Sequence, residues 1–296
     1  MTTLRIGTRG SKLALIQSKL VANALVSAHP GLEIEMVTIT THGDADQASA
    51  LSSGEGQGWF TSAIQEALGK AEIDLAVHSY KDLPTKRPPG LIIAAVPERE
   101  DPRDALVSAS GSSLRGLPGG AVIGTSSPRR EAQVLELRPD LVMKPIRGNV
   151  DTRIGKVDAG DYDATVLAMA GLRRMALDHR ASHVFGFEEL LPSPAQGALA
   201  VECRVTDRET RDLLAAIDHP ETRAAVTAER SFLAAIDAGC SFPAGAYAEQ
   251  FGTTLKLHAL VANNGRIVRS RMAGPVGTAA GLGRGLAEEL MALAGM

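Results

Sequence analysis

The sequence predicts an α/β protein of two doubly wound domains followed by a small α+β domain. Three observations carry this expectation. Short β-type runs alternate with helical periods along most of the chain, the pattern of βαβ units in which a crossover helix joins parallel strands. After about residue 220 the order changes to a helix, three consecutive strand-like runs and a last helix. Finally, 296 residues with 44% hydrophobic side chains exceed what a single core is expected to hold.

In chain order, LRIGT reads as a strand, and Ser11 caps a helix through LALIQSKLVANALV that ends at HPG. LEIEMVTIT is the next strand, completing a βαβ unit. The polar stretch Thr41–Gly58 reads as a mobile loop and leads into a helix from about Trp59 to Lys70. IDLAVH is a buried strand that stops at SYKDLP, because Pro84 lacks the donor to continue. LIIAAV is another strand, and PEREDPRD, dense in proline and charge, is a candidate hinge. A second unit follows: strand AVIGT, N-cap candidates Ser126 and Ser127, Pro128 at the first helical position, and a helix through EAQVLEL. VMKPI, a helix after Gly148 and ATVLAMA extend the alternation, and SPAQGALAVECR returns the chain to the first unit. The tail holds a helix from about Thr222 to Asp237, the turn AGCSFP, the strands GAYAEQF, TLKLHALV and RIVRSRMAG, and a C-terminal helix. The resulting domains are 1–98 with 197–216, then 103–192, then 220–296.

Composition narrows the function classes. A formal net charge of -3 argues against a globally basic nucleic-acid binder and against a charged disordered tail. Two cysteines, Cys203 and Cys240, cannot form a disulfide framework, and no Cys/His cluster has metal-ligand spacing, so no metal is expected. The first residues lack the apolar core of a signal peptide, and no run reaches the roughly 18 apolar residues of a membrane span. A cytoplasmic protein without a membrane partner is expected. Among the 31 cations are 23 arginines and 8 lysines. Codon preference explains such an excess as readily as carboxylate or phosphate recognition by the planar guanidinium, and position decides between them.

Position is informative. Arg9 follows strand LRIGT, Lys81 and Asp82 follow IDLAVHSY, Arg129 and Arg130 follow AVIGTSSP, and Arg147 and Arg153 bracket RGNVDTR after VMKPI. In open α/β sheets the carboxyl ends of the strands form the ligand crevice, and helix N-termini there add backbone donors for anions. Five arginines and a lysine are therefore expected to converge on one cleft between the two α/β domains, around a ligand with several carboxylates or phosphates. An isolated arginine is more often a solvated surface charge; recurrence at four strand ends shifts that balance. Asp82 is either a locally paired turn acid or an acid/base group facing the anion cleft.

The motifs LRIGTRGSKLAL, VHSYKDLP, EREDPRDALVS, IGTSSPRR, RGNVDTR, LPSPAQGALAVECR and AGCSFPAGAYAE resemble, in order and over nearly the whole chain, those of the porphobilinogen deaminase (hydroxymethylbilane synthase) family. The resemblance implies a cytosolic, largely monomeric transferase of tetrapyrrole and heme biosynthesis, whose first two domains resemble type II periplasmic binding proteins. It implies four porphobilinogen units deaminated and polymerised into hydroxymethylbilane on a covalent dipyrromethane cofactor. Cys240 matches the cysteine that carries this cofactor through a thioether, and Asp82 matches the catalytic aspartate. Arg9, Ser11, Lys81, Ser127, Arg129, Arg130, Arg147, Arg153 and Gln196 match residues that bind cofactor and substrate, with Thr125, Ser126 and Asn149 as neighbouring contacts. Cys203 matches no functional position and reads as a small core residue.

One region departs from the family pattern. Where relatives read GKGLF(V/T)KELE, this chain has GQGWFTSAIQE. Gln57 and Ser62 stand in place of lysines and Ala63 in place of a glutamate, while Phe60 of the implied lid is kept. Loss of both lysines weakens an anion clamp there by about 1–3 kcal/mol if each contact is charge-assisted. The alternatives to the main reading are a divergent paralogue making a shorter or modified oligopyrrole and a non-catalytic anion-binding module.

Overall fold

The computed structural model describes residues 3–40, 62–236, 243–263 and 265–295. The expected loop over Thr41–Gly58 and the turn at AGCSFP up to residue 242 lie outside the described residues. The elements, in order, are β1 (Thr3–Thr8), α1 (Lys12–Ala28), β2 (Glu33–Thr38), α2 (Ser62–Gly69), β3 (Leu75–Ser79), β4 (Leu91–Ala95), β5 (Asp104–Ser108), β6 (Val122–Gly124), α3 (Pro128–Leu137), β7 (Val142–Lys144), α4 (Val150–Asp158), β8 (Ala164–Ala168), α5 (Met169–Arg174), β9 (His183–Val184), β10 (Leu199–Arg204), α6 (Arg208–Ala215), α7 (Pro220–Ile236), β11 (Ala244–Phe251), β12 (Thr254–Asn263), β13 (Arg266–Pro275) and α8 (Ala279–Leu293). None of the described helices is long and apolar enough to cross a membrane.

The chain forms two compact units, Met1–Arg99 with Ala198–Arg223, and Glu100–Gly197 with Ala224–Met296. The first is built on a five-stranded sheet in the order β2-β1-β3-β10-β4. β1 runs parallel to β2 and β3, and the returning strand β10 lies antiparallel between β3 and β4. Apolar residues of both faces are covered. Ile6, Leu75 and Val201 pack with Val21 and Leu25 of α1 and Leu214 of α6, while Ile73 and Ala76 pack with Ile64 and Leu68 of α2. A strand buried on both sides reads as a continuous apolar run, which is how LAV in β3 and LAV in β10 read, with the buried Glu202 as the exception in β10.

The second unit repeats this arrangement in the order β7-β6-β8-β5-β9, with β6 parallel to β7 and β8, and β5 antiparallel to β8. β5 is hidden in the sequence because it has only five residues, DALVS, and the first of them, Asp104, is also the last residue of the proline- and charge-rich stretch that reads as a hinge. The same unit also contains the antiparallel sheet β11-β12-β13, one face of which packs Leu257, Ala246 and Val261 on Phe232 of α7 and Leu286 and Leu290 of α8. Glu229 and Phe187 tie this sheet to the rest of its unit. The fully buried Glu229 of α7 accepts from the Ala195 and Ala248 amides at 2.6 and 2.8 Å, and Phe187 stacks on Tyr247 at 3.9 Å between ring centroids.

Candidate anion-binding and catalytic site

In the first unit, β1 delivers Arg9, Gly10 and Ser11 to the carboxyl edge of the sheet. The Ser11 Oγ accepts from the Ala14 amide at 3.3 Å and starts α1, so the helix N-terminus opens beside the half-buried Arg9. The neighbouring strand β3 ends in a single helical turn, Tyr80–Asp82. That turn is pinned at both ends: the Tyr80 amide donates to the Ala198 carbonyl at 3.0 Å, the Leu83 amide to the Tyr80 carbonyl at 3.3 Å, and Leu83 itself is buried. Pro84 follows, as the sequence requires. The turn holds Asp82 exposed and Lys81 half-buried, at the end of the central strand of the sheet.

In the second unit the carboxyl edges of β6 and β7 carry the corresponding donors. The Ser126 hydroxyl donates to the Ile146 carbonyl at 2.8 Å and accepts from its amide at 3.1 Å, tying the two strand ends together. The buried Thr125 accepts from the Ser127 amide at 3.2 Å. Ser127 caps α3, its Oγ 3.5 Å from the Arg130 amide, with Pro128 at the start of the helix. Asn149 caps α4 without spending its side chain on a cap bond, and the exposed Arg147 makes no ion pair among the described residues. The Arg153 Nε turns back to donate to the Gly148 carbonyl at 2.8 Å.

Gly148 has φ +111°, and a Cβ there would sit 2.6 Å from the Thr152 Cγ2. Both the left-handed backbone and the close approach oppose a side chain. Gly148→Ala is expected to destabilise the protein by about 1–3 kcal/mol and to displace Arg147 and Asn149. A urea titration superimposing on that of the parent protein would contradict this.

Arg129, Arg130 and Gln196, expected at the ligand cleft, are engaged with one carboxylate of the same unit. All are buried, and all converge on the fully buried Asp104 at the head of β5. The Arg129 Nη1 donates to Asp104 Oδ2 at 2.8 Å and to the Leu191 carbonyl at 2.5 Å. The Arg130 Nη2 reaches Asp104 Oδ1 at 2.7 Å and its Nη1 the Val166 carbonyl at 2.7 Å. The Gln196 amide donates to the same Oδ1 at 2.8 Å and to the Pro102 carbonyl at 2.8 Å. Gln133, also fully buried, completes the cluster by accepting from the Leu191 amide at 2.8 Å. Burial by itself would raise the Asp104 pKa, but the charges and hydrogen bonds of the two arginines outweigh it and hold the carboxyl well below the usual carboxylate range. The physical reason for this pairing is the low dielectric of the interior: a buried guanidinium needs a carboxylate, and β5 supplies one. Sequence reasoning missed Asp104, whose only signal was an acid at the first position of a continuously apolar run.

Cys240, Gln57 and Phe60 lie outside the described residues. Cys203 is fully buried, and that burial pushes its thiol up to about 11, the environment of an inert core residue rather than a nucleophile.

Strand-end cations and capped helix N-termini on two open sheets make this an α/β protein suited to anionic ligands. Residues 4–212 match the family model described as porphobilinogen deaminase, dipyromethane cofactor binding domain, and residues 223–292 match that of the porphobilinogen deaminase C-terminal domain. The porphobilinogen deaminase of Roseiflexus sp. strain RS-1 is 49% identical over 290 residues, covering 98% of this chain and 96% of that protein. The porphobilinogen deaminase of Roseiflexus castenholzii strain DSM 13941 / HLO8 is 48% identical over the same shares. The chain belongs to the porphobilinogen deaminase family. Among solved structures, the methionine binding protein MetQ aligns with 72% of this chain and 88% of its own at 11% identity and a TM-score of 0.46.

Proposed function

We propose that this chain is a hydroxymethylbilane synthase, which deaminates porphobilinogen and joins four units into hydroxymethylbilane on a dipyrromethane primer attached through a thioether to Cys240. It works as a monomer in the cytoplasm, without nucleic-acid or membrane partners, and its working domains are 1–98 with 197–216, 103–192 and 220–296. The observation that carries the reading is the single turn at the end of β3, which sets Lys81 and Asp82 at the same sheet edge as Arg9 and the N-terminus of α1. Family membership over nearly the whole chain supports it.

The donors suit the cofactor. A dipyrromethane made of two porphobilinogen units carries acetate and propionate groups. Ser126, Arg147, Asn149 and the N-termini of α3 and α4 offer hydroxyl, guanidinium, amide and backbone N–H donors at one sheet edge. Bound through Cys240, the cofactor supplies the free α-carbon from which the product chain grows.

Arg9, Lys81 and the N-terminus of α1 hold the carboxylates of the incoming porphobilinogen and orient its aminomethyl group. As ammonia leaves, positive charge develops on the pyrrole nitrogen. The Asp82 carboxylate accepts a hydrogen bond from that N–H, stabilises the charge and takes up the proton lost in carbon–carbon bond formation. The cations cannot stabilise a developing cation, so they act by position.

The test is intact mass measurement of the purified protein, followed by turnover of porphobilinogen and oxidation of the product. We expect the sequence mass plus a two-pyrrole adduct, its loss in Cys240→Ala, and uroporphyrin after oxidation. A bare sequence mass together with no uroporphyrin would remove the reading.

A further inference from the structure

Gln17 lies on the buried stripe of α1, 5% exposed, in line with Val21, Ala22 and Leu25. An apolar side chain is the ordinary occupant of such a position, because a buried amide costs free energy unless its polar atoms are bonded. Here both ends of the amide address one atom. The Nε2 donates to the Ser79 Oγ at 3.0 Å, and the Ser79 hydroxyl donates to the Oε1 at 3.2 Å. Ser79 is the last residue of β3 and the cap residue of the turn that carries Lys81 and Asp82, yet its side chain makes no cap bond. The hydroxyl best placed to close the turn is used instead to bind α1, across 62 positions of sequence.

We propose that Gln17 is a positioning residue, locking the Lys81–Asp82 turn to the helix whose N-terminus stands beside Arg9. A substrate held by its carboxylates at that helix then meets Asp82 at a set distance. This rests on the role given to Asp82 above. The amide does not touch the reacting atoms; it acts through Ser79. Because a displacement of about 1 Å between reacting groups can cost on the order of 10²-fold in rate, freeing the turn lowers kcat more than it weakens binding.

The experiment compares steady-state kcat and KM for porphobilinogen in the cofactor-loaded enzyme for Gln17→Met, Ser79→Ala, the double variant and Ser79→Thr, with Asp82→Asn as reference. Gln17→Met keeps length and volume without the hydrogen bonds, and Ser79→Ala removes one oxygen, so it reports even where the larger change impairs folding. We expect each of these to lower kcat about tenfold with KM within about twofold. The double variant falls no further than either single one, since both remove the same interaction, and Ser79→Thr, which keeps the hydroxyl, stays within about threefold of the parent. Parental kcat in loaded Gln17→Met or Ser79→Ala, even with a lowered melting temperature, overturns the proposal, as does a multiplicative, roughly hundredfold loss in the double variant. An active Asp82→Asn overturns the role of Asp82 and this inference with it. An inactive Asp82→Asn beside an active Gln17→Met overturns this inference alone.

Discussion

Asp82→Asn is expected to lower turnover of porphobilinogen by about 10²–10⁴-fold while leaving the two-pyrrole adduct and the stability of the protein in place. The asparagine keeps the shape of the side chain and can still accept a hydrogen bond, but it brings no negative charge to the pyrrole nitrogen and no site for the departing proton. Stability should stay within about 0.5 kcal/mol of the parent, the usual range for exposed substitutions that break no special interaction, because Asp82 is exposed on a turn held by backbone bonds and by Leu83. Measured side by side, kcat, intact mass and a denaturation curve separate these effects. Turnover within threefold of the parent would mean that another group carries the proton.

The same chemical change at Asp104 should have the opposite signature. Asp104→Asn leaves the Arg129 and Arg130 guanidiniums buried with no counter-charge, and breaking a buried ion cluster on one side costs about 3–5 kcal/mol. The second unit should melt lower by on the order of 10 °C, with cofactor loading failing as a consequence of lost structure. A parental melting curve would show that the arginines find other partners. The cluster also predicts an acid limb. The folded-state pKa of Asp104 lies below its ordinary value, so its contribution to stability is complete above the unfolded-state value of about 3.9 and is lost as pH falls from there through the folded-state value. Between neutral pH and about 5 it adds no slope. Unfolding free energy measured against pH should therefore fall less steeply in acid for Asp104→Asn than for the parent.

These two aspartates show what was legible in the residues and what was not. Asp82 could be placed because its signals are local: an apolar run that ends, a proline two residues on, and a neighbouring lysine. Ser11 and Ser127 were legible in the same way, as short polar residues immediately before helical periods, whereas Asn149 was singled out only through the family resemblance. β5 was not, because a five-residue strand after a run of prolines and charges carries too little pattern to stand apart from a linker.

The alternation of strands and helices, the change of order near residue 220, the strand ends and the identity of the side chains at them were determined by the sequence alone, because each depends on residues within a few positions of one another. Tertiary structure decided which of those side chains are buried and paired within the protein. Arg129 and Arg130 stand at a strand end as Arg147 does, but their partner lies 25 and 26 residues away on an antiparallel strand, and in the interior each guanidinium needs that carboxylate. Gln17 reads as one polar residue on an apolar helix stripe until β3 brings Ser79 to it. A buried polar group takes its meaning from the atom that satisfies it, and that atom is brought near only by folding.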